Sequence, residues 1–407
     1  MHRRHLLASV IACPITSVFS RAGDWPWFLG ASRDGSLGSP VQPWQGDDLP
    51  AAWNIPLGEG FSGPVASNGK VVLFHRDGAN HMVELVMAQD GKRVWQTRIP
   101  TRYEDPLGRG DGPRATPAIA GGKIFLTTPE AVLFAFDFTT GKKVWSVDLA
   151  STYSVPKGFF GYGVSPLIHQ GSVLLNVGGE GAGVVAFSER DGAEIWKVTS
   201  QQASYASGIM MNFGGQSLAV FLTRDGLLAL DPAKGTVVHQ LRWRSRQNAS
   251  VNAASPVAIP GGVFLSACYN TGAIALELRE GVLQKLWSGD ESLSCHYSTP
   301  VYWDGHLYGF HGRQEEGAEL RCVEFKSGKV KWTRPGTGCG WLLRAKDRLL
   351  VMQENGELLL LMANPAECQV MAKAKALNGS ARALPAFVDN LLICRDSAEC
   401  RAIKMAS

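Results

Sequence analysis

Short apolar runs recur along most of the chain, and each follows a turn built from glycine, asparagine or aspartate. Clear copies are four or five residues long, at residues 71–74, 124–127, 173–177, 349–352 and 391–394. Runs rich in β-branched and large apolar residues, bounded by turn residues, are typical of short β-strands. The pattern therefore predicts an all-β protein with many strands and tight turns.

A longer unit repeats on top of this pattern. It is clearest at residues 137–145, where an aspartate, a glycine and a tryptophan are spaced as D-x-x-T-G-K-x-x-W. Glycine supplies the positive φ that a tight turn needs, and the strand after it carries a large apolar anchor that we expect to pack between neighbouring sheets. The anchors, spaced 39 to 51 residues apart, are Trp53, Trp95, Trp145, Trp196, His239, Trp287, Trp332 and Met371.

An opening triplet before the first strand of each repeat gives the same count of eight. The copies are residues 62–64, 115–117, 164–166, 208–210, 254–256, 298–300, 342–344 and 383–385. Trp53 has no repeat in front of it, and residues 382–407 lack a final anchor strand. We therefore predict an eight-bladed β-propeller of four-stranded antiparallel blades, whose last blade is closed by the N-terminal strand at residues 51–57.

The unit at residues 137–145 resembles the repeat of the pyrroloquinoline-quinone (PQQ)-like propellers, and the resemblance covers about residues 24–407. Residues 24–30, 33–35 and 110–117 also resemble a bacterial exported subgroup of about 400 residues. The family includes quinoprotein alcohol dehydrogenases and the outer-membrane assembly lipoprotein of Gram-negative envelopes. The resemblance implies the fold more specifically than the activity.

For the enzymes of that family, the resemblance implies PQQ held against a tryptophan and beneath a disulfide between adjacent cysteines. It also implies a calcium ion with carboxylate and amide ligands, and an aspartate base. This sequence has no Cys-Cys pair and no C-x-x-C-H haem motif. PQQ with calcium is therefore disfavoured, and no cofactor is predicted.

The composition excludes two classes of protein. With 45% hydrophobic and 19% charged residues, the chain can bury a large core, which excludes intrinsic disorder. Without the arginines at positions 3, 4 and 21, the count is 37 basic against 36 acidic residues. A nearly neutral chain gives no electrostatic reason to expect nucleic acid as a partner.

The first 22 residues are typical of an export signal, because a basic start is followed by a short apolar run that contains Pro14. The pair Arg3-Arg4 resembles a twin-arginine signal, and a Sec signal is the alternative. Cys13 follows a lipobox-like run, which would anchor the chain through a lipid; the alternative is a cysteine removed with the signal. Residues 23–50 are then an N-terminal extension and residues 51–407 the propeller, with no transmembrane segment and a location in the periplasm or cell envelope.

The residues just before the first strand of each blade ring one mouth of the central channel, where propellers commonly bind ligands. Aromatic rings and guanidinium groups there would suit a planar ring and an anion. The alternative is a set of side chains that tie loops together. The candidates are Phe61, Arg114, Tyr162, Tyr205, Asn252, His296, Tyr297, Trp341 and Arg382.

The histidines and cysteines give weaker signals. His296 is either a general base or a hydrogen-bonding loop residue. Cys394 and Cys400 flank a short turn and are either a disulfide or two buried thiols. No Cys or His spacing typical of a metal site occurs, so no metal site is predicted.

These observations favour a non-catalytic binding or assembly scaffold in the bacterial cell envelope, monomeric and with no catalytic residue. Its partner would be an envelope protein, or else a small-molecule or carbohydrate ligand. The first alternative is a small periplasmic PQQ-dependent alcohol or sugar dehydrogenase. The second is a carbohydrate-binding propeller that uses the aromatic ring of the mouth.

Overall fold

The computed structural model describes residues 23–47, 49–248 and 250–406, and in them 32 strands form eight four-stranded antiparallel sheets. The first strands of neighbouring sheets contact one another around a central channel. The predicted eight-bladed propeller is therefore confirmed. The predicted signal at residues 1–22, with Cys13, lies outside the described residues. No helix in the described ranges is long and apolar enough to cross a membrane.

The first four blades follow the chain, each from the channel outward. Blade 1 holds β2 (Val65–Ser67), β3 (Lys70–Asp77), β4 (Asn80–Met87) and β5 (Arg93–Pro100). Blade 2 holds β6 (Ala118–Ala120), β7 (Lys123–Thr127), β8 (Val132–Asp137) and β9 (Lys143–Asp148). Blade 3 holds β10 (Leu167–His169), β11 (Ser172–Gly179), β12 (Ala182–Ser188) and β13 (Glu194–Val198). Blade 4 holds β14 (Ile209–Phe213), β15 (Gln216–Thr223), β16 (Gly226–Leu230) and β17 (Val237–Arg242).

The next three blades repeat this order, and two short helices lie in loops. Blade 5 holds β18 (Val257–Ile259), β19 (Gly262–Ala267), β20 (Gly272–Arg279) and β21 (Val282–Gly289). Blade 6 holds β22 (Val301–Trp303), β23 (His306–His311), β24 (Glu319–Glu324) and β25 (Val330–Arg334). Blade 7 holds β26 (Gly340–Ala345), β27 (Arg348–Gln353), β28 (Glu357–Met362) and β29 (Val370–Lys375). The helices are α1 (Leu149–Tyr153) and a 3-10 turn at Gln314–Glu316.

The last blade joins the two ends of the chain. It holds β30 (Ala386–Val388), β31 (Leu391–Arg395), β32 (Glu399–Lys404) and, as its outer strand, β1 (Ala51–Pro56). β1 pairs with β32 in antiparallel register, with Trp53 opposite Ala402. The predicted closure by the N-terminal strand is confirmed.

A contact that we call the Trp–Gly clasp joins most neighbouring blades. The indole N–H of Trp95 in blade 1 donates to the carbonyl oxygen of Phe138 in blade 2 at 3.1 Å. The ring also covers Gly141, whose added Cβ would lie 2.5 Å from it. The anchor tryptophans that donate to the next blade in this way are Trp53, Trp95, Trp145, Trp196, Trp287 and Trp332.

Two joints lack both parts of the clasp, and a third lacks its glycine: Trp332 donates to Asn364 of blade 7, but residues 363–369 of that turn contain no glycine. At the joint between blades 4 and 5 the anchor is His239, whose ring packs on Phe213 of its own blade. An added Cβ on Gly281, in the matching turn of blade 5, would meet open space. Met371 replaces tryptophan at the joint between blades 7 and 8 and packs among its apolar residues.

A second set of bonds, which we call the hydroxyl belt, links the opening triplets. The N–H of Gly63 donates to the hydroxyl of Thr116, and the N–H of Thr116 to that of Ser165, at 3.1 and 2.9 Å. The same pattern continues on the other side of the channel. The N–H of Ser207 donates to the hydroxyl of Ser255, and the N–H of Ser255 donates to the hydroxyl of Thr299.

The belt also corrects two of the predicted triplets. β14 begins at Ile209, so the triplet of blade 4 is residues 206–208 and not 208–210. In blade 7 the strand pairing places Trp341 where the other blades have the middle residue, so the triplet is residues 340–342. Both sequences lack the proline that marks most copies, which explains the shift of two residues.

Residues 23–47 cross the channel at the end opposite to the opening triplets, and we call them the plug. Trp25 pairs with Ala66 of blade 1, and the indole N–H of Trp27 donates to Ile119 of blade 2. On the far side, the N–H of Leu37 donates to Arg344 of blade 7 at 2.7 Å. Inside, the guanidinium of Arg33 stacks on Trp27 at 4.3 Å, and burial lowers the pKa of Arg33 to about 9.

Cys394 and Cys400 are both buried thiols in the structure. The strand register places Cys394 opposite Arg401, and Arg395 opposite Cys400. Because side chains alternate between the two faces of a strand, the two sulfur atoms point to opposite faces of the sheet. This geometry favours the alternative of two thiols over the predicted disulfide.

The Trp–Gly clasp predicts that adding a side chain at Gly141 lowers the stability of the protein. Replacing Gly141 with alanine combines a positive φ of 69° with a collision against Trp95. We expect Gly141→Ala to lower the free energy of unfolding by about 2–4 kcal/mol, because overpacking adds to the cost of the left-handed backbone. Urea unfolding followed by tryptophan fluorescence measures this loss.

Gly122→Ala in the same blade is the matched control. Its φ is 72°, but nothing lies within 4 Å of the added Cβ. We expect it to cost only about 1–2 kcal/mol. Equal losses for the two variants would show that the tryptophan contact does not hold the blades together.

Candidate functional site

A cavity of about 500 Å³ lies at the channel end where the opening triplets meet, and we call it the mouth cavity. Thr116, Ser165 and Ser207 of the hydroxyl belt line it, and so does Phe28 of the plug. The predicted site residues that the structure brings together in its wall are Phe61, Arg114, Tyr205, His296, Tyr297, Trp341 and Arg382.

Two predicted residues serve the loops instead of this cavity. Tyr162 is buried, and its hydroxyl donates to the carbonyl oxygen of Asn176 at 2.8 Å. The side-chain amide of Asn252 donates to the carbonyl oxygen of Thr223 at 2.7 Å. Both match the alternative interpretation, in which side chains near the mouth tie loops together.

Guanidinium groups cover the aromatic rings of the mouth cavity. Arg114 lies over Phe61 and over Phe160, at 5.4 Å from each ring centroid. Arg382 lies 5.7 Å from Phe61, so two cations share one ring. Such cation–π contacts stabilise the charges and occupy ring faces that a planar ligand would otherwise use.

Carboxylates then fix these cations. Asp105 is buried and accepts from the guanidinium of Arg114 at 3.0 Å and from the backbone N–H of Arg109 at 2.8 Å. Glu354 pairs with Arg382. Burial opposes the charge of Arg382, but the hydrogen bond and the charge of Glu354 outweigh burial and raise its pKa. The wall of the cavity is therefore charged, ordered and internally paired.

His296 is held at both ring nitrogens. Nε2 lies 2.8 Å from the hydroxyl of Tyr269, and Nδ1 lies 2.6 Å from Oε1 of Gln314. Burial lowers the pKa of His296, which keeps the ring neutral at neutral pH. With both nitrogens engaged, the geometry favours the hydrogen-bonding loop residue over the general base.

The structure adds residues that the sequence did not single out. Leu107 lines the cavity and is 55% exposed, and Arg109, Phe160, Tyr269 and Arg313 also belong to the wall. They come from loops between blades and from hairpin turns, which have no fixed spacing from the opening triplets. An exposed leucine inside the polar loop 104–111 was the one available signal.

The fold and this site can be compared with known proteins. A family model described as outer membrane protein assembly factor BamB matches residues 44–151 and 79–334. The chain belongs to this family of PQQ-like repeat propellers.

The relatives of this BamB-type family divide into two groups. The chain is 22% identical to the assembly factor BamB of Yersinia pestis over 291 residues, which is 66% of this chain and 69% of that protein. It is 25% identical to BamB of Burkholderia pseudomallei over 53% of this chain and 48% of that protein. It is 30% identical to a lanthanide-dependent methanol dehydrogenase of Methylacidiphilum fumariolicum over 38% of this chain and 26% of that protein.

Solved structures show the same division and support the fold alone. BamB from Moraxella catarrhalis is 14% identical, with a TM-score of 0.63 over 87% of this chain and 97% of that one. The quinohemoprotein alcohol dehydrogenase from Comamonas testosteroni is 13% identical, with a TM-score of 0.67 over 94% of this chain and 80% of that one.

The dehydrogenase members of the family raise the question of whether a calcium-bound quinone fits the mouth cavity. Calcium needs several free carboxylate or amide oxygens. Here Asp105 and Glu354 are already bound to arginines. The indole N–H of Trp341 donates to Arg382, and its ring packs edge-on against Phe28. The residues present do not fit a calcium–quinone centre.

The buried neutral His296 predicts an acid-sensitive step in stability. The unfolded chain takes up a proton below the ordinary histidine pKa of about 6.5, whereas the folded chain resists it. The contribution of His296 to the free energy of unfolding is therefore present above pH 6.5 and is lost as the pH falls below this value. Below pH 6.5 the free energy of unfolding should fall less steeply with pH in His296→Gln than in the unmodified protein. The difference in slope should be up to about 1.4 kcal/mol per pH unit.

Urea unfolding at pH 7.5, 6.5 and 5.5 measures these slopes. His306→Gln, at the first and partly exposed residue of β23, is the control and should keep the slope of the unmodified protein. A His296→Gln variant with an unchanged slope would contradict the assignment of a neutral buried ring.

Proposed function

We propose that this protein is a non-catalytic binding or assembly scaffold of the bacterial cell envelope, and that an envelope protein docks at the mouth cavity. The family match and the BamB relatives, which are named outer membrane protein assembly factors, support assembly as the role. The observation that carries the proposal is the wall of the cavity, whose cations and carboxylates pair with one another. A wall whose charges are paired within the protein suits recognition of a partner, whereas catalysis needs free acids and bases.

The exposed Leu107 gives the mouth an apolar contact point. It stands at the rim among Arg109, Arg313 and Glu315, which line the same cavity. An apolar residue surrounded by charged groups is the usual composition of a protein–protein contact. The export signal read at residues 1–22 would carry the propeller to the periplasm, where such a partner is found.

The proposal predicts that one rim substitution removes partner binding. We expect Leu107→Glu to reduce, by tenfold or more, the envelope proteins that co-purify with the tagged full chain in mild detergent, because a charge replaces the apolar contact. Quantitative mass spectrometry of the purified complex measures this loss. Val282→Glu is the control, because Val282 is 58% exposed on the outer strand of blade 5, away from the mouth.

Both variants change exposed residues, so their melting temperatures should match that of the unmodified protein. Loss of partners on Val282→Glu with retention on Leu107→Glu would move the docking site to the outer face of the propeller. Recovery of no envelope protein with the unmodified chain would overturn the scaffold role.

The dehydrogenase alternative has its own test. We expect PQQ with calcium to leave the melting temperature unchanged, because the carboxylates of the mouth are engaged. A cofactor present at a hundredfold excess over its Kd would add about 2.7 kcal/mol of stability and raise the melting temperature by several degrees. Such a rise, abolished by Arg114→Ala, would favour a quinoprotein oxidising an alcohol or a sugar.

The carbohydrate-binding alternative needs open aromatic faces at the mouth. Phe61 is covered by two guanidinium groups, and Tyr269 is covered by Arg313 at 5.0 Å. These two rings are therefore not free to stack on a sugar, and the family match favours the scaffold role.

A further inference from the structure

A second cavity, of about 630 Å³, lies beside the mouth cavity, and we call it the side cavity. Its wall comes from the turn at residues 129–131 of blade 2, the loop 155–162 that enters blade 3, and the residues 202–205 that enter blade 4. Phe159 and Tyr205 line both cavities and form the partition between them. Of the predicted site residues, Tyr162 and Tyr205 belong to its wall.

The partition is held in place from both sides. The backbone N–H of Phe160 donates to the hydroxyl of Tyr205 at 2.8 Å. Arg224 lies over the ring of Phe159 at 5.1 Å, and Arg114 lies over Phe160 at 5.4 Å. Each cavity therefore has a fixed aromatic wall with a guanidinium group beside it.

The charges of the side cavity differ from those of the mouth. Arg102, Lys157 and Arg224 line it, and in the described part of the chain none of the three belongs to an ion pair. The mouth arginines, by contrast, each have a carboxylate. The side cavity thus carries cations that its own wall does not neutralise.

The acidic residues of its wall offset these cations only in part. Glu130 pairs with His81 at 3.2 Å and also accepts from Thr101. Burial favours its neutral form, but these hydrogen bonds outweigh burial and lower the pKa of Glu130 to about 2. With Glu104, the wall holds two acidic side chains against the three cations.

We propose that the side cavity binds an extended peptide segment that carries a carboxylate next to an apolar side chain. The carboxylate pairs with the guanidinium of Arg224 and the ammonium of Lys157, and the apolar side chain packs on Pro129, Val155 and Phe159. A cavity of this size holds two or three residues. The inference rests on the proposed function, because it names the chemistry of a segment that the docked partner would supply.

A peptide fits this cavity better than an oligosaccharide does. Sugar binding relies on free aromatic faces. Arg224 covers the face of Phe159, and the hydroxyl of Tyr162 is already bonded to Asn176. The free cations instead call for an anionic ligand.

Titration calorimetry on the full chain, with two matched tripeptides, tests the inference. The probes are acetyl-Val-Glu-Phe-amide and acetyl-Val-Gln-Phe-amide, which differ only in the carboxylate. We expect the glutamate peptide to bind at least tenfold more tightly, and this preference to shrink as salt rises from 50 to 500 mM. Arg224→Gln should remove the preference.

Arg190→Gln is the matched control. The guanidinium of Arg190 pairs with Asp191, its neighbour in an exposed turn, so the variant should bind like the unmodified protein. Lys157→Gln, at an exposed position, should also reduce the preference and covers the case in which Arg224→Gln does not fold.

Equal affinity for the two peptides, or no binding of either at millimolar concentration, would overturn the inference. So would binding of a chitin or cellulose oligosaccharide in place of the peptides. The rim variant Leu107→Glu separates the two proposals: if it loses partners while the peptide preference is absent, the scaffold role stands and only the side-cavity inference fails.

Discussion

The packing of an anchor tryptophan on the turn glycine of the next blade is the interaction on which the rest of the structure depends. Each blade buries both faces against its neighbours, so the ring is stable only if every joint holds. The tryptophan supplies a large apolar area and one hydrogen bond, and the glycine supplies the space for it. Since Trp53 makes the same contact with blade 1, the first strand closes the ring with the same chemistry that joins its other members.

The position of the binding surface follows from this ring. The hydroxyl belt draws the opening triplets together at one end of the channel, while the plug fills the other end. In blade 7, Trp341 takes the place of a belt hydroxyl, and in blade 8 Leu384 does so, which gives this side of the mouth an apolar wall. A channel closed at one end becomes a concave surface with a single accessible side.

The two cavities at this surface differ in how their charges are satisfied. In the mouth cavity Arg114, Arg313 and Arg382 each have both an aromatic ring and a carboxylate, which fixes their positions. In the side cavity Arg224 has a ring, and no carboxylate of the described residues pairs with it. The first arrangement holds the shape of the wall, and the second leaves a cation for the anionic ligand proposed above. Both features support the proposed role in recognition.

The sequence by itself determined the fold, because the eightfold spacing of Trp and Gly is local chemistry repeated at readable intervals. It also determined most of the mouth, since residues next to a fixed strand start share its location. The plug, the loop that carries Leu107 and the pairing of Arg114 with Asp105 were decided only by the tertiary structure. Loops of unequal length have no period, so only the folded chain brings their side chains together.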